Sequence, residues 1–313
     1  MRILIVGYKK DFTAEYFYSK ALSKLGHEVS LIDEYEGVKR PLFARVMFTR
    51  TRMLRFFLNR MEVNNNIVEK ARKADADVIL IFKGEFLSDS SLADLSENFR
   101  TYLFYPDTYK YKPILKNRLH YFNAVFTAAN STDFYYNLGA KKVVTVPWAC
   151  DPDFHRKMNI EKKYDISFIG TAYRERRKII RKCDNIHVFG VLWYGFGGFS
   201  HRPVYGNDFV RTINETKINL NLQAQVSIMA DAPTARTFEV SGSGGFQISD
   251  SMSSIGRYFP RIPTFGSTDE LKELIDYFLD NETEREERAL DCYYRCRKYF
   301  KFTDAAKLIT SYM

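Results

Sequence analysis

The sequence predicts an α/β protein made of two Rossmann-like domains, each a parallel sheet with helices on its faces. Short apolar runs ending in glycine alternate with helical segments up to about residue 147, and the alternation begins again at residue 165. A chain of 313 residues with 45% hydrophobic content is also long enough to bury two cores. We place the N-terminal domain at residues 1–150 and the C-terminal domain at 151–300. We expect a final helix at 301–313 to pack back on the N-terminal domain.

The first domain opens with a βαβ unit. The apolar run Arg2–Gly7 predicts a buried strand, residues 13–25 a helix and residues 29–32 the next strand. The glycine is followed by Tyr8, Lys9 and Lys10, so the GxGxxG fingerprint of dinucleotide-binding domains is absent. This argues against a nicotinamide or flavin enzyme. Further strands are predicted at residues 77–82, 101–105, 124–127 and 143–146.

Residues 39–60 interleave lysines and arginines with apolar side chains and contain no acid. Such a basic amphipathic segment predicts a peripheral contact with an anionic membrane or a phosphate-bearing acceptor. The alternative is a helix whose apolar side packs on the sheet while its arginines are solvated.

The formal charge of +9 favours an anionic partner without choosing between nucleic acid, lipid and a phosphorylated substrate. The four cysteines form no CxxC pair and have no histidines at metal-binding spacing, which argues against a zinc site or a disulfide framework. The N-terminal apolar run is too short for a signal peptide or a membrane span. Together these features predict a cytoplasmic protein, and no metal or other cofactor is expected.

The second domain repeats the pattern of strand and helix. Strands are predicted at residues 165–169, 186–189, 217–222 and 246–249. A capping box at Ser267 and Glu270 predicts a helix to about residue 279, and two more helices follow at 282–300 and 303–312. A basic helix after Gly170 and Thr171 carries Arg174 as a candidate phosphate ligand. Arg177 is a second possible contact for a phosphate, and the remaining cations (Arg176, Lys178, Arg181 and Lys182) are interpreted as a solvated face.

The segment DAPTARTFEVSGSGGFQISD, residues 231–250, is the strongest candidate for a ligand site. A proline opens a short helix that carries Arg236 and Glu239, and glycines at 242, 244 and 245 precede a buried strand. Free N–H groups at the start of such a helix favour an anion. An ordinary connection between a helix and a parallel strand fits the same residues.

These motifs resemble a known group of enzymes. The segment PWACDPDF, residues 147–154, resembles the domain junction of GT-B glycosyltransferases. The order FIGT, KINLNL and RTFEVSGSGGFQISD in the second half resembles the group that includes the spore maturation protein CgeB. The resemblance covers most of residues 78–300. It implies the GT-B fold, in which two Rossmann-like domains with parallel sheets face an interdomain cleft. It also implies a nucleotide-sugar donor bound mainly by the C-terminal domain, with the acceptor on the N-terminal one.

The resemblance also implies roles for particular residues. In related retaining enzymes two acids separated by seven residues serve the donor. Glu239 matches the second acid, which binds the nucleotide ribose, and Asp231 stands at the spacing of the first. A departing diphosphate needs positive charge and N–H donors. Further candidates for the donor site are Gly170, Thr171, Arg174, Arg236, Ser243, Gly244 and Gly245, while Asp107 and His120 are candidates for assisting the acceptor.

The predicted function is transfer of a sugar from a nucleotide donor to a surface glycan, a lipid-linked acceptor or a similar conjugate, retaining and without metal. UDP, GDP and dTDP are all candidate nucleotides. Three alternative functions remain open. A sugar-nucleotide epimerase would need acids and histidines around the sugar, and the presence of only five histidines disfavours it. The other two are a nucleic-acid-associated protein, including a DNA-modifying glycosyltransferase, and a sugar-nucleotide-binding module without turnover. No RNP-like or helix-turn-helix signature accompanies the arginines.

Overall fold

The computed structural model describes residues 1–34, 60–85, 87–106 and 115–313, with only the backbone at 60–66. The described chain forms two compact units. The first contains Met1–Val146 together with Ala306–Met313, and the second contains Pro147–Ala305. The basic segment at residues 39–59 and the candidate Asp107 lie outside the described residues.

The first unit contains a sheet of six parallel strands in the order β2-β1-β3-β4-β5-β6. All six strands predicted for this half are confirmed. The strand Val78–Phe82 is buried along its whole length, and its neighbours Arg2–Gly7 and Arg100–Phe104 are buried beyond their first residue, as expected when helices cover both faces of a parallel sheet. The strands are β1 (Arg2–Gly7), β2 (Glu28–Asp33), β3 (Val78–Phe82), β4 (Arg100–Phe104), β5 (Ala124–Thr127) and β6 (Val143–Thr145).

The helices of the first unit connect these strands in sequence. Within the described residues they are α1 (Ala14–Lys24), α2 (Arg60–Lys73), α3 (Asp89–Asn98) and α4 (Asp133–Tyr136), with a 3₁₀ turn at Leu119–Tyr121. The C-terminal residues belong to this unit: the Lys142 ammonium lies 4.3 Å from the centre of the Tyr312 ring, and Arg100 donates to the Met313 carbonyl.

The second unit contains another sheet of six parallel strands, in the order β12-β11-β10-β7-β8-β9. The four strands predicted here are confirmed, and two strands of two residues each extend the sheet at its edges. The strands are β7 (Tyr164–Ile169), β8 (Ile186–Phe189), β9 (Ser200–His201), β10 (Thr216–Asn221), β11 (Gln247–Asp250) and β12 (Thr264–Phe265). The chain runs outward from β7 to β9 and then returns to β10, on the other side of β7.

The helices of the second unit include the expected capped helix. Ser267 Oγ accepts the Glu270 N–H at 3.2 Å, whereas the Glu270 carboxylate accepts from Gly266 N at 2.7 Å, one residue earlier than the capping box predicts. The helices are α5 (Arg174–Ile180), α6 (Gly206–Asn214), α7 (Gln225–Met229), α8 (Ala235–Gly242), α9 (Ser253–Tyr258), α10 (Thr268–Asp280), α11 (Glu282–Tyr299) and α12 (Phe302–Thr310), with a 3₁₀ turn at Gly197–Phe199.

The four cysteines are free and buried, which matches a packing role. Burial raises the pKa of the Cys292 thiol to about 12, so this thiol is unreactive at neutral pH. In the part of the chain that the structure describes, no helix combines the length and the apolar character needed to cross a membrane.

Candidate functional site

The second sheet has a topological switch point between β7 and β10. The chain leaves β7 in one direction along the sheet and leaves β10 in the other, so the connections diverge at the carboxyl ends of these two neighbouring strands. Ligands of open α/β sheets bind in the crevice that such a divergence creates. The residues at this edge therefore define the candidate site.

Arg176 bridges the two strand ends. Its Nε and Nη2 donate to the Leu222 carbonyl at 3.0 and 2.7 Å, and its Nη1 donates to the Thr171 carbonyl at 3.3 Å. The guanidinium also lies 5.2 Å from the centre of the Phe168 ring. Burial lowers the pKa of Arg176, yet a guanidinium remains protonated in proteins. Because its partners here are neutral carbonyls, its positive charge persists at the switch point.

The ends of β7 and β8 lie unusually close together. A Cβ atom at Gly190 would stand 2.0 Å from the Gly170 carbonyl oxygen, so only glycine fits at this position. The same oxygen accepts a hydrogen bond from the Trp193 indole at 2.8 Å. Gly170 is thus fixed by packing and hydrogen bonding at the carboxyl edge, next to Thr171.

Helix α8 begins at the same edge and is held there by Gln223. The Gln223 Oε1 accepts the Thr234 N–H at 3.0 Å, and its Nε2 donates to Thr237 Oγ1 at 3.3 Å. Thr234 is the N-cap but makes no side-chain capping bond. The Thr237 N–H donates to the Thr234 carbonyl at 3.1 Å, but the Thr234 side chain does not cap the N–H groups of Ala235 and Arg236. Such N–H groups at a helix start favour an anion.

A buried polar network fixes α8 to the strands beneath it. Asn221 donates to Thr237 Oγ1 at 2.9 Å and to Gln247 Oε1 at 2.8 Å. The Gln247 amide donates to the Thr237 carbonyl and to Ser241 Oγ, both at 2.9 Å. Because these bonds connect α8 to β10 and β11, the helix start has a defined position at the carboxyl edge.

Arg236 and Glu239 lie on the exposed side of α8. Arg236 Nη1 and Glu239 Oε2 are 3.1 Å apart, and about a quarter of each side chain is exposed, 27% and 24% respectively. The Arg236 guanidinium stacks 4.2 Å from the centre of the Phe209 ring. The positive charge of Arg236 contributes to lowering the pKa of Arg176, so the two guanidinium groups lie near each other.

Asp250, the last residue of β11, brings an acid to the same edge. Its Oδ2 accepts the Gln223 N–H at 2.5 Å. Burial raises the pKa of its carboxyl group, while that hydrogen bond and the charge of Arg176 favour ionisation. The cluster of Arg176, Arg236, Glu239 and Asp250 can therefore bind an anion beside a hydroxyl-bearing group.

Ser243, Gly244 and Gly245 do not join this cluster. They follow the C-terminal end of α8 and precede β11, so they lie at the amino edge of the sheet, opposite Gly170. Ser243 is fully buried, and a Cβ at Gly244 would contact the Lys157 side chain at 2.9 Å. The glycines of this loop permit close packing within the protein, and its approach to the donor stays a prediction.

Asp231 has structural partners. Its backbone φ is +45°, its Oδ1 accepts the Ser254 N–H at 2.9 Å, and its Oδ2 lies 3.4 Å from Arg257. The carboxylate thus caps the start of α9, where Met252 occupies the N-cap position and has no side chain suited to capping.

His120 is exposed in the 3₁₀ turn Leu119–Tyr121, which directly precedes β5. It therefore lies at the amino edge of the first sheet, away from the edge where ligands of such sheets bind. The role of His120 in assisting an acceptor stays a prediction. Asp107 is not among the described residues.

The arginines of the basic helix α5 have different positions from those that the sequence predicts. Arg174, the predicted phosphate ligand, is exposed at the first helical position. Arg176, interpreted as solvated, is the residue that bridges the strand ends. Position 176 lies four residues before the buried Ile180 and so shares its inward-facing side, a signal present in the sequence.

Metal ligands do not cluster in the described structure. Within residues 1–34, 60–85, 87–106 and 115–313, no group of three or more His, Cys, Asp or Glu side chains is arranged to hold a metal ion.

Comparison with known proteins agrees with this architecture. Residues 166–310 match the family model Glyco_trans_1_2, described as glycosyl transferase-like. No curated protein matches the chain. The matched range, residues 166–310, includes the whole candidate site.

Among solved structures, the chain is similar to a sucrose-phosphate synthase from Thermosynechococcus elongatus, with 12% identity, a TM-score of 0.68 and coverage of 99% of this chain and 97% of the other. It is similar to HepE from Anabaena in complex with UDP-glucose, with 9% identity, a TM-score of 0.68 and coverage of 99% and 98%. AviGT4, a glycosyltransferase of avilamycin A biosynthesis, gives 13% identity, a TM-score of 0.64 and coverage of 99% and 96%. The chain thus has the α/β fold of GT-B glycosyltransferases.

Proposed function

We propose that the protein is a glycosyltransferase that moves a sugar from a nucleotide donor to an acceptor, and that the donor binds at the carboxyl edge of the second sheet. The observation that carries this proposal is the position of Arg176. Its hydrogen bonds go to neutral carbonyls, and it places a positive charge at the switch point, next to Arg236 and the start of α8 and near the Asp250 carboxylate. A departing nucleoside diphosphate needs this kind of stabilisation.

Glu239 is the proposed ligand of the nucleotide ribose. Its carboxylate is partly exposed one turn beyond the helix start, so it can accept hydrogen bonds from ribose hydroxyls while the diphosphate contacts the helix N-terminus. The ordinary alternative is a surface ion pair with Arg236 at a spacing of three residues. In the proposal this pair serves to orient both side chains toward the nucleotide.

The finer features of the reaction are proposed on the same basis. Two acids separated by seven residues support a retaining reaction of the CgeB-like type, with Asp231 on the sugar side. Two guanidinium groups and backbone N–H donors support metal-independent departure of the diphosphate. The complex of HepE with UDP-glucose supports UDP as the nucleotide. A glycan or lipid-linked molecule is the proposed acceptor.

The direct test is a donor-hydrolysis assay with UDP-, GDP- and dTDP-sugars, together with binding of the free nucleotides. We expect one nucleotide series to bind and its sugar to be released slowly as water replaces the acceptor. Glu239→Ala should weaken that binding at least tenfold. If no nucleotide binds, or if Glu239→Ala changes neither binding nor hydrolysis, the proposal is wrong.

The alternatives give different outcomes in the same experiments. Binding without hydrolysis or transfer would indicate a binding module, and a change of sugar configuration in the intact donor would indicate an epimerase. A salt-sensitive shift of DNA or RNA on a gel would indicate a nucleic-acid partner. Sedimentation with anionic liposomes tests the membrane contact, because Glu at positions 50, 52 and 55 should abolish it if residues 39–60 bind lipid.

A further inference from the structure

The Arg236 guanidinium is held both in its plane and on one of its faces. In the plane, Nη1 lies 3.1 Å from Oε2 of Glu239 on the same helix, α8. On one face, the group lies 4.2 Å from the centre of the Phe209 ring on α6. A guanidinium donates hydrogen bonds in its plane, while its faces stack on flat rings. The side chain is 27% exposed, so the face opposite Phe209 can stack on a second flat group.

Phe209 is a rigid support for this arrangement. It lies in the first turn of α6, is only 7% exposed, and belongs to a hydrophobic cluster that includes Ile169, Phe189 and Val240. Ile169 and Phe189 are the last residues of β7 and β8, and Val240 belongs to α8. The ring is therefore fixed at the carboxyl edge of the second sheet, and Arg236 is fixed with it.

The surface around the start of α6 is open beside this stack. Tyr205, the N-cap residue of α6, is 59% exposed, and its carbonyl accepts the Phe209 N–H at 3.4 Å. A Cβ atom at Gly206 would meet no other atom within 4 Å. A ligand can therefore reach the surface next to Arg236 from the side of α6.

The covalent structure of a nucleotide decides which of its parts lies on this surface. The base is attached to C1′ of the ribose, and the adjacent carbon carries the 2′-hydroxyl. A ribose whose hydroxyls donate to the Glu239 carboxylate must therefore place its base within a few ångströms of that carboxylate. Arg236 is the cation that contacts the same carboxylate, so its guanidinium lies within reach of the base.

We propose that the nucleobase of the donor stacks on the face of the Arg236 guanidinium opposite Phe209. Bases stack on guanidinium planes as they do on aromatic rings. Phe209 is then a positioning residue, which keeps the guanidinium flat beneath the base without touching the donor. This inference rests on the proposed donor site and assigns its base-binding part. Because every base has a π face, the stack adds affinity without selecting one base.

The substitution Arg236→Lys separates stacking from charge. Lysine keeps the positive charge but has no planar group that can stack on a base. We expect calorimetric titration to show about tenfold weaker binding of UDP, which corresponds to the loss of one stacked base. Pyrophosphate carries the diphosphate charge without a base, so its affinity should be nearly unchanged. Equal losses for both ligands, or an unchanged affinity for UDP, would overturn the proposal.

Arg288 provides a matched control in the same unit. Its Nη2 lies 2.6 Å from Glu284 Oε1 on its own helix, and its guanidinium lies 5.3 Å from the centre of the Phe278 ring. Its side chain is 25% exposed, close to the value for Arg236. Helix α11, which carries Arg288, has no part in the proposed donor site. Arg288→Lys should therefore change neither affinity, and a loss of UDP affinity as large as that of Arg236→Lys would contradict the proposal.

A double-mutant cycle tests whether Phe209 acts through Arg236. Phe209→Leu keeps the position apolar and removes the ring, so it should weaken the binding of UDP but not of pyrophosphate. In the Arg236→Lys background, Phe209→Leu should cause no further loss of UDP affinity, whereas independent effects would add and would contradict the positioning role. Arg236 is partly exposed, so Arg236→Lys still decides the question of stacking if the buried Phe209→Leu variant fails to fold.

The same titrations distinguish a failure of this inference from a failure of the donor site. If the wild-type protein binds neither UDP nor pyrophosphate, the donor-site proposal fails and the stacking role fails with it. If the wild type binds UDP and Glu239→Ala weakens that binding while Arg236→Lys does not, only the stacking role of Arg236 is wrong. Weaker binding of UDP in both variants, with pyrophosphate affinity kept in Arg236→Lys, is the result that we expect.

Discussion

Replacement of Arg176 by Met should destabilise the second unit and weaken nucleotide binding together. The wild-type guanidinium makes three hydrogen bonds to the carbonyls of Leu222 and Thr171. Bonds to charged donors contribute about 1.5–3 kcal/mol each, but water can reach this sheet edge and recover part of that energy. We therefore expect the free energy of unfolding to fall by about 2–4 kcal/mol, with at least a tenfold loss of UDP affinity.

Tryptophan fluorescence offers a selective assay for this effect. The sequence contains two tryptophans, Trp148 and Trp193, and both belong to the second unit. Urea unfolding followed by fluorescence therefore reports on that unit, and calorimetry with UDP measures the affinity. Lys178→Met on the exposed side of the same helix is the matched control and should change stability by less than about 0.5 kcal/mol. Equal behaviour of the two variants would refute the role assigned to Arg176.

Three further predictions concern the same unit. Gly190→Ala should destabilise it by about 3 kcal/mol or more in urea unfolding, because the new Cβ meets the Gly170 carbonyl, whereas Gly198→Ala, with open space around its Cβ, should be nearly neutral. Burial raises the pKa of the Asp250 carboxyl group in the folded protein above its ordinary value of 3.8, so the free energy of unfolding should fall as the pH rises from 4 toward neutral and the group loses its proton. Asp250→Asn should remove this decline. His187 Nδ1 and His201 Nε2 are 2.8 Å apart, and burial lowers the pKa of both imidazoles below the ordinary value of 6.5. The free energy of unfolding should therefore fall as the pH drops below 6.5, because the unfolded chain takes up protons more readily. His187→Gln should reduce that fall.

The central strands were predictable because they are buried on both faces. A short, continuous apolar run such as Val78–Phe82 is typical of a strand in a parallel sheet, and the helices of the same chain differ from it by having polar sides. The Ser267 cap was predictable because its chemistry is local. The strands Ser200–His201 and Thr264–Phe265 were not predicted, since two residues give no periodic pattern.

The candidate site was less predictable because its contacts join distant parts of the chain. Arg176 finds a partner at Leu222, 46 positions later, and a backbone carbonyl leaves no mark in the sequence. The glycines at 244 and 245 were interpreted as room for a ligand, but the freedom that glycine provides serves close packing equally well. Local motifs therefore predicted helix α8 with Arg236 and Glu239. Only the sheet topology showed which other residues lie beside the start of α8 at the carboxyl edge of the second sheet.

The location of a bound nucleotide tests the central claim most directly. A crystal structure of the protein with UDP should show the diphosphate within hydrogen-bonding distance of the first N–H groups of α8 and close to Arg236 and Arg176. The ribose hydroxyls should contact the Glu239 carboxylate. A nucleotide bound elsewhere, or a ribose that makes no contact with Glu239, would contradict the proposed donor site.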